Sequence, residues 1–135
     1  MALDYGRRRI GIAISDPGRI LASPHAVIEY RGPSGEPPPD LIAMLREIEP
    51  AEVLLGIPVN MDGSEGEMAV ETRRFGVGIT DLLGIPIVER DERLSSLEAD
   101  RRLRESGLPR AKRRNKGRRD MMAATVILED YLAES

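Results

Sequence analysis

Four acidic side chains in this sequence stand where carboxylates can do chemistry. They are Asp4 behind "MAL", Asp91 and Glu92 in "VERDERLSS", and Asp120 where a basic run meets an apolar one. The chain has no cysteine and a single histidine, His25, so thiolate and imidazole chemistry have little material to work with. Gathered carboxylates are instead the natural donors for a hard divalent cation such as Mg2+ or Mn2+. Two such ions about 4 Å apart activate water and stabilise the leaving oxygen when a phosphodiester is hydrolysed. Without a cation, clustered acids carry raised pKa values or cost stability. On spacing alone, Asp91, Glu92 and Asp120 read better as helix caps, turn residues or solvated charges. Asp4 is the hardest to explain that way, because it closes a strand directly ahead of a glycine turn.

The basic run supplies the second component. Half of all the Lys and Arg residues lie within 101–119, where Glu105 is the only acid, although the whole chain carries a net charge of −3. Arg101, Arg102 and Arg104 read as a solvated helix face. The segment "RAKRRNKGRR", with Arg110, Lys112, Arg113, Arg114, Lys116 and Arg118, is too concentrated for ordinary surface decoration and ends on Asp120. Positive charge leading into an acidic site suits a polyanionic substrate, its phosphates held by arginine and lysine. Few aromatic residues are available for stacking, so recognition of backbone or shape is expected over base readout.

These residues must be positioned by elements that the sequence also indicates. Met1–Tyr5 reads as a short strand and Gly6 with the arginines after it as a turn. Ile10, Ile12 and Ile14 alternate with Gly11, Ala13 and Ser15, the period of a strand, and the small residues leave one face open to a neighbouring backbone. Ile20–Tyr30 reads as a third strand, bent or at an edge because of Pro24. Beyond the loop "RGPSGEPPPD", Leu41, Met44, Leu45 and Ile48 fall at helical spacing, with Pro50 just past the end. Glu52–Ile57 suits a buried parallel strand. A helix over 67–83, a strand over 85–89 and a helix capped by Ser95 and Glu98 follow. The basic segment is expected to be a loop, after which Met121, Ala124, Thr125 and Leu128 share one face of a last helix. Three antiparallel strands followed by alternating strands and helices give an α/β fold with a five-stranded mixed sheet, in one domain over 1–135. Sites in such sheets gather beyond the carboxyl ends of the parallel strands, which is where the four acids fall.

The segments "LDYGRRRIGIAISD", "LLGIPVNMDGSEG", "DERLSSLEA" and "NKGRRDMMAATVILEDYL" resemble, in order and spacing, the signature segments of the YqgF/RuvX family. The likeness spans essentially the whole chain. It implies a ribonuclease H-like fold and a metal-dependent nuclease. The family is implicated in 5′-end processing of precursor 16S ribosomal RNA, and some members are described as Holliday-junction resolvases. Carried over by motif, the metal-binding acids are Asp4, Asp120 and an acid of the "DER" segment. Glu92 is favoured there, with Asp91 as the alternative, since neighbours on an extended chain point to opposite sides. Arg93 could bind phosphate or pair with a nearby acid. Asn60, with Asp62 beyond it, could orient a carboxylate or a water, or simply stabilise a turn. Arg7, Arg8 and Arg9 form a turn that could touch the substrate, although family members vary at this turn and solvation is the safer reading. Only three residues precede Asp4, so the expectation is a short first strand and a few native residues missing ahead of it.

The partners expected are nucleic acid, precursor ribosomal RNA first and a four-way DNA junction second, with the protein a monomer or a homodimer. No apolar run approaches the ~20 residues of a membrane span, and the absence of cysteine fits a reducing cytoplasm. An actin-like or sugar-kinase-like phosphotransferase would need a second domain and a second acid–glycine phosphate loop. The serious rival is a non-catalytic RNA-binding assembly factor that keeps the fold, because charge for binding is evident and turnover is not.

Overall fold

The computed structural model describes residues 1–110 and 115–134. Its five strands are β1 (Ala2–Tyr5), β2 (Arg9–Ser15), β3 (Ala22–Glu29), β4 (Val53–Ile57) and β5 (Ile87–Asp91). They form one sheet in the order β3-β2-β1-β4-β5. β1 and β2, and β2 and β3, pair antiparallel, whereas β1–β4 and β4–β5 are parallel. The expected α/β architecture with a mixed five-stranded sheet is therefore present, and it is consistent with a ribonuclease H-like fold. β1, four residues long, is nevertheless central, and Leu3 is wholly buried between its neighbours.

Strand alternation assigns the two faces. Leu3, Tyr5, Ile10, Ile12, Val53, Leu55 and Ile57 share one apolar cluster with Leu41 and Leu45 of α1 (Pro39–Ile48) and Phe75 and Ile79 of α2 (Glu67–Leu83). The other face carries small residues. Ala2, Ala13 and Leu54 meet Ala124, Ile127 and Leu128 of the last described helix, α4 (Lys116–Ala133). The helix α3 (Arg93–Glu105) packs beside α4. Small side chains on this face let α4 lie close to the sheet, and period-2 alternation places Asp4 on the same face as Ala2. Among the described residues, no helix is long and apolar enough to cross a membrane.

Three boundaries differ from the sequence-based expectation, each for a local reason. Pro24 does sit on an edge strand, but β3 is shorter than expected, and the register slips where Ala13 pairs with Pro24 while Ile12 pairs with Ala26. The helix α3 begins at Arg93 rather than after a Ser95–Glu98 capping box. Asp91 Oδ1 accepts the Arg93 backbone N–H at 2.9 Å, Ser95 Oγ donates to the Glu92 carbonyl, and Glu98 is taken by Arg101 and Arg102. The helix α4 absorbs part of the expected basic loop. Asn115 Oδ1 accepts the Arg118 N–H at 3.1 Å, so the helix starts at Lys116 and Asp120 lies in its second turn.

Candidate active site

Asp4 is the second-last residue of β1 and pairs with Gly11 of the adjacent β2. Gly11 is where α4 crosses the sheet. A Cβ placed there would lie 2.2 Å from the Asp120 carbonyl carbon and 2.6 Å from the Met121 nitrogen. The absence of a side chain at one strand position thus brings the Asp120 turn of α4 down beside Asp4. Glu92 arrives from the far side. Its backbone N–H donates to the Ile57 carbonyl at 3.2 Å, fixing it where β4 and β5 end. Its side chain runs over Gly56, where an added Cβ would stand 2.6 Å from Glu92 Oε2 and 2.7 Å from Ile127 Cδ1. Two glycines on one sheet face therefore make the room into which acids from β1, the β5–α3 junction and α4 are directed.

The neighbours Asp91 and Glu92 part company here. Asp91 is exposed and engages Arg93 through both carboxylate oxygens, one on the backbone N–H and one on Nε at 2.8 Å. These contacts hold its carboxyl below the usual range. Glu92 points inward, and its Oε2 is buried with no hydrogen-bond partner. Burial is the main reason its carboxyl is pushed up to about 7, with Asp120 and Asp91 adding repulsion. Burial likewise raises Asp4 well above the carboxylate range, followed by the charges of Glu92 and Asp120. Asp120 is raised less. Burial lifts it, while Arg9, Arg119 and Lys116 oppose the shift. Arg9 Nε donates to Asp120 Oδ2 at 3.3 Å, a contact between residues 111 positions apart that sequence reasoning did not anticipate. The signal for it lay in alternation, since Arg9 shares the sheet face of Gly11.

The remaining sequence-predicted residues spread around this centre. Arg93 spends its guanidinium on Asp91. Arg110, Lys116 and Arg118 are exposed, and Lys116 and Arg118 make no ion pair with a described residue. Lys112, Arg113 and Arg114 lie outside the described residues. Asn60 and Asp62 close a turn on Ser64. The Asn60 N–H donates to the Ser64 carbonyl, and Asp62 Oδ1 accepts from the Ser64 N–H and hydroxyl.

The raised acids make a stability prediction. A carboxyl with a folded pKa near 7 against an ordinary 4.5 binds its proton more tightly in the folded state. The stability it contributes is complete below about pH 4.5 and is lost as the pH rises to about 7. Asp4 acts in the same direction. With divalent ions chelated, the wild type should lose on the order of 2–3 kcal/mol between pH 5 and 8. Glu92→Gln should lose markedly less. Denaturant midpoints at the two pH values measure this, and equal losses for both proteins would refute it.

Among the described residues, no three acidic or imidazole side chains already converge as a coordination set, and Asp120 is paired with Arg9. The donors nonetheless fit a hard cation. They are all carboxylate oxygens, and a buried, partnerless Glu92 oxygen beside a second buried acid is an unbalanced arrangement that a cation would relieve.

Residues 1–134 match the profile of the family described as "RuvX: Holliday junction resolvase". The chain is 41% identical to a protein of Anaeromyxobacter sp. (strain Fw109-5) over 98% of this chain and 94% of that protein. It is 42% identical to one from Halothermothrix orenii over 98% and 92%, and 36% identical to one from Citrobacter koseri over 99% and 95%. All three are named "Putative pre-16S rRNA nuclease". Matched along essentially its whole length, the chain belongs to the RuvX family.

Proposed function

We propose that this protein is a divalent-metal-dependent nuclease that hydrolyses phosphodiester bonds in structured nucleic acid, with the precursor of 16S ribosomal RNA as its substrate. The observation that carries this reading is the buried, partnerless Glu92 carboxylate oxygen beside Asp4, at the carboxyl ends of β1, β4 and β5. The names of the relatives support the choice of substrate.

In this reading Asp4, Glu92 and Asp120 hold Mg2+ or Mn2+, which supplies water activation and charge neutralisation at the scissile phosphate. Asp4 and Glu92 offer adjoining oxygens on a rigid sheet edge, so little reorganisation is needed. Burial raises the Asp120 carboxyl, and Arg9, Arg119 and Lys116 oppose that rise. Asp91 keeps no place in the centre. It orients Arg93 and the start of α3, and through them the backbone of Glu92. Arg110, Lys112, Arg113, Arg114, Lys116 and Arg118 meet substrate phosphates as they approach α4.

The family's description favours a second substrate, a four-way DNA junction. Both are tested together by incubating the protein with a precursor 16S 5′ leader and with a mobile junction, in Mn2+, Mg2+ or EDTA. Cleavage of the leader that requires the ion is expected. Cleavage of the junction alone would move the substrate to DNA. Binding without cleavage of either would leave the assembly-factor reading in its place.

A further inference from the structure

A groove of about 780 Å³ opens beside the β1–β2 turn, lined chiefly by Arg7, Arg8, Arg9, Glu29, Tyr30 and Arg31. Its arginines differ in what they are doing. Arg7 Nε donates to both carboxylate oxygens of Glu71, at 3.0 and 3.3 Å, and Arg9 is engaged by Asp120. Arg8 and Arg31 are exposed and make no ion pair with any described residue. Glu29 is the one acid in the lining and pairs with Arg9 across the β2–β3 ladder. Elsewhere, by contrast, Arg73, Arg90, Arg101 and Arg102 are each held by carboxylates.

The frame beneath the free arginines is fixed. The Gly6 N–H donates to the Arg9 carbonyl at 2.9 Å, the Tyr30 N–H to the Arg8 carbonyl at 3.1 Å, and the Tyr30 hydroxyl to the Gly6 carbonyl at 2.9 Å. Arg9 belongs both to the groove and to the acidic site, so the two are continuous. A chain of net charge −3 admits a polyanion only where cations are left uncompensated.

We propose that this groove binds the phosphodiester backbone of the nucleic-acid substrate, with Arg8 and Arg31 contacting its phosphates and Arg9 joining it to the Asp4–Glu92 site. The proposal rests on the nuclease reading of that site. It adds to the basic start of α4 a second basic surface at the β1–β2 turn, continuous with the acids through Arg9. Neither contact reads bases, so the groove favours no sequence.

The test is anisotropy of a fluorescein-labelled RNA hairpin with a 5′ single-stranded leader, titrated in EDTA at several salt concentrations. Arg8→Ala with Arg31→Ala should weaken binding about 10-fold or more, and reduce the slope of log K against log salt by about 1.4–1.8. Arg46→Ala with Arg104→Ala removes the same charge from outside the groove and should change neither. Equal effects of the two pairs, or an unchanged slope for the first, would overturn the groove. Cleavage by the wild type is scored separately. If the groove variant loses binding while the wild type cuts nothing, the nuclease reading falls and the groove stands. If the wild type cuts and the groove variant binds as tightly as it does, the groove falls alone.

Discussion

Asp4→Asn is expected to lower cleavage of the precursor leader on the order of 10³-fold while leaving the protein folded. Asparagine keeps the size and shape of the side chain, so the β1–Gly11 pairing and the approach of α4 are unaffected. What disappears is one of two adjoining anionic oxygen donors, and charge stabilisation at a reacting phosphate is worth several kcal/mol, each 1.4 kcal/mol being tenfold in rate. The stability change separates this outcome from damage to the fold. Asp4 is a buried acid crowded by Glu92 and Asp120, so its neutral replacement should leave the melting temperature in EDTA unchanged or raise it at pH 8. Addition of Mn2+ should raise the melting temperature of the wild type, because a ligand bound only to the folded state stabilises by mass action, and that increment should shrink or vanish in the variant. Undiminished cleavage by Asp4→Asn would remove the acid from the chemistry. Lost cleavage with an unchanged Mn2+ increment would leave Asp4 a substrate contact instead of a metal donor.

How far the sequence disclosed this site depends on the distance over which each contact acts. The sheet was legible because its determinants are local. Alternation in Ile10–Ser15 and the unbroken apolar run Val53–Ile57 leave few other arrangements for those segments. The same alternation separates Asp91 from Glu92, since consecutive residues at a strand end face opposite sides, but choosing between them required knowing which face α4 covers. The start of α3 was misplaced because two cap signals compete within five residues. Asp91 caps the helix from the last position of β5 and leaves Ser95 inside it. In α4 the Asn115 cap was equally local, but the density of charge around it made loop the simpler reading. The pairing of Arg9 with Asp120 and the space that Gly56 leaves for Glu92 join residues far apart in the chain. Alternation places Arg9 on the face of Gly11, but which residues these groups meet emerges only once the sheet order has brought β2, β4 and α4 together.

Gly11→Ala should be the most destabilising single-methyl change on the site's sheet face. The added Cβ would stand 2.2 Å from the Asp120 carbonyl carbon and 2.3 Å from its oxygen. Both are backbone atoms in the second turn of a long helix, so no rotamer change relieves the clash and α4 itself must lift. Lifting it opens the contacts of Ala124, Ile127 and Leu128 with Ala2, Ala13 and Leu54. Overpacking of this kind costs about 3 kcal/mol or more, equivalent to roughly 10–15 °C in melting temperature for a chain of this size. Gly32→Ala serves as the comparison, because its Cβ meets only Tyr30 Cδ2 at 4.0 Å on an exposed loop, and it should shift stability by less than about 0.5 kcal/mol. The functional consequence follows from the same displacement. When α4 rises, Asp120 leaves Arg9 and moves away from Asp4, so cleavage should fall even at a temperature where the variant is fully folded. Gly11→Ala with a melting temperature and a cleavage rate both close to wild type would mean that α4 does not rest on β2 as described, and with it would go the account of how Asp120 reaches the other two acids.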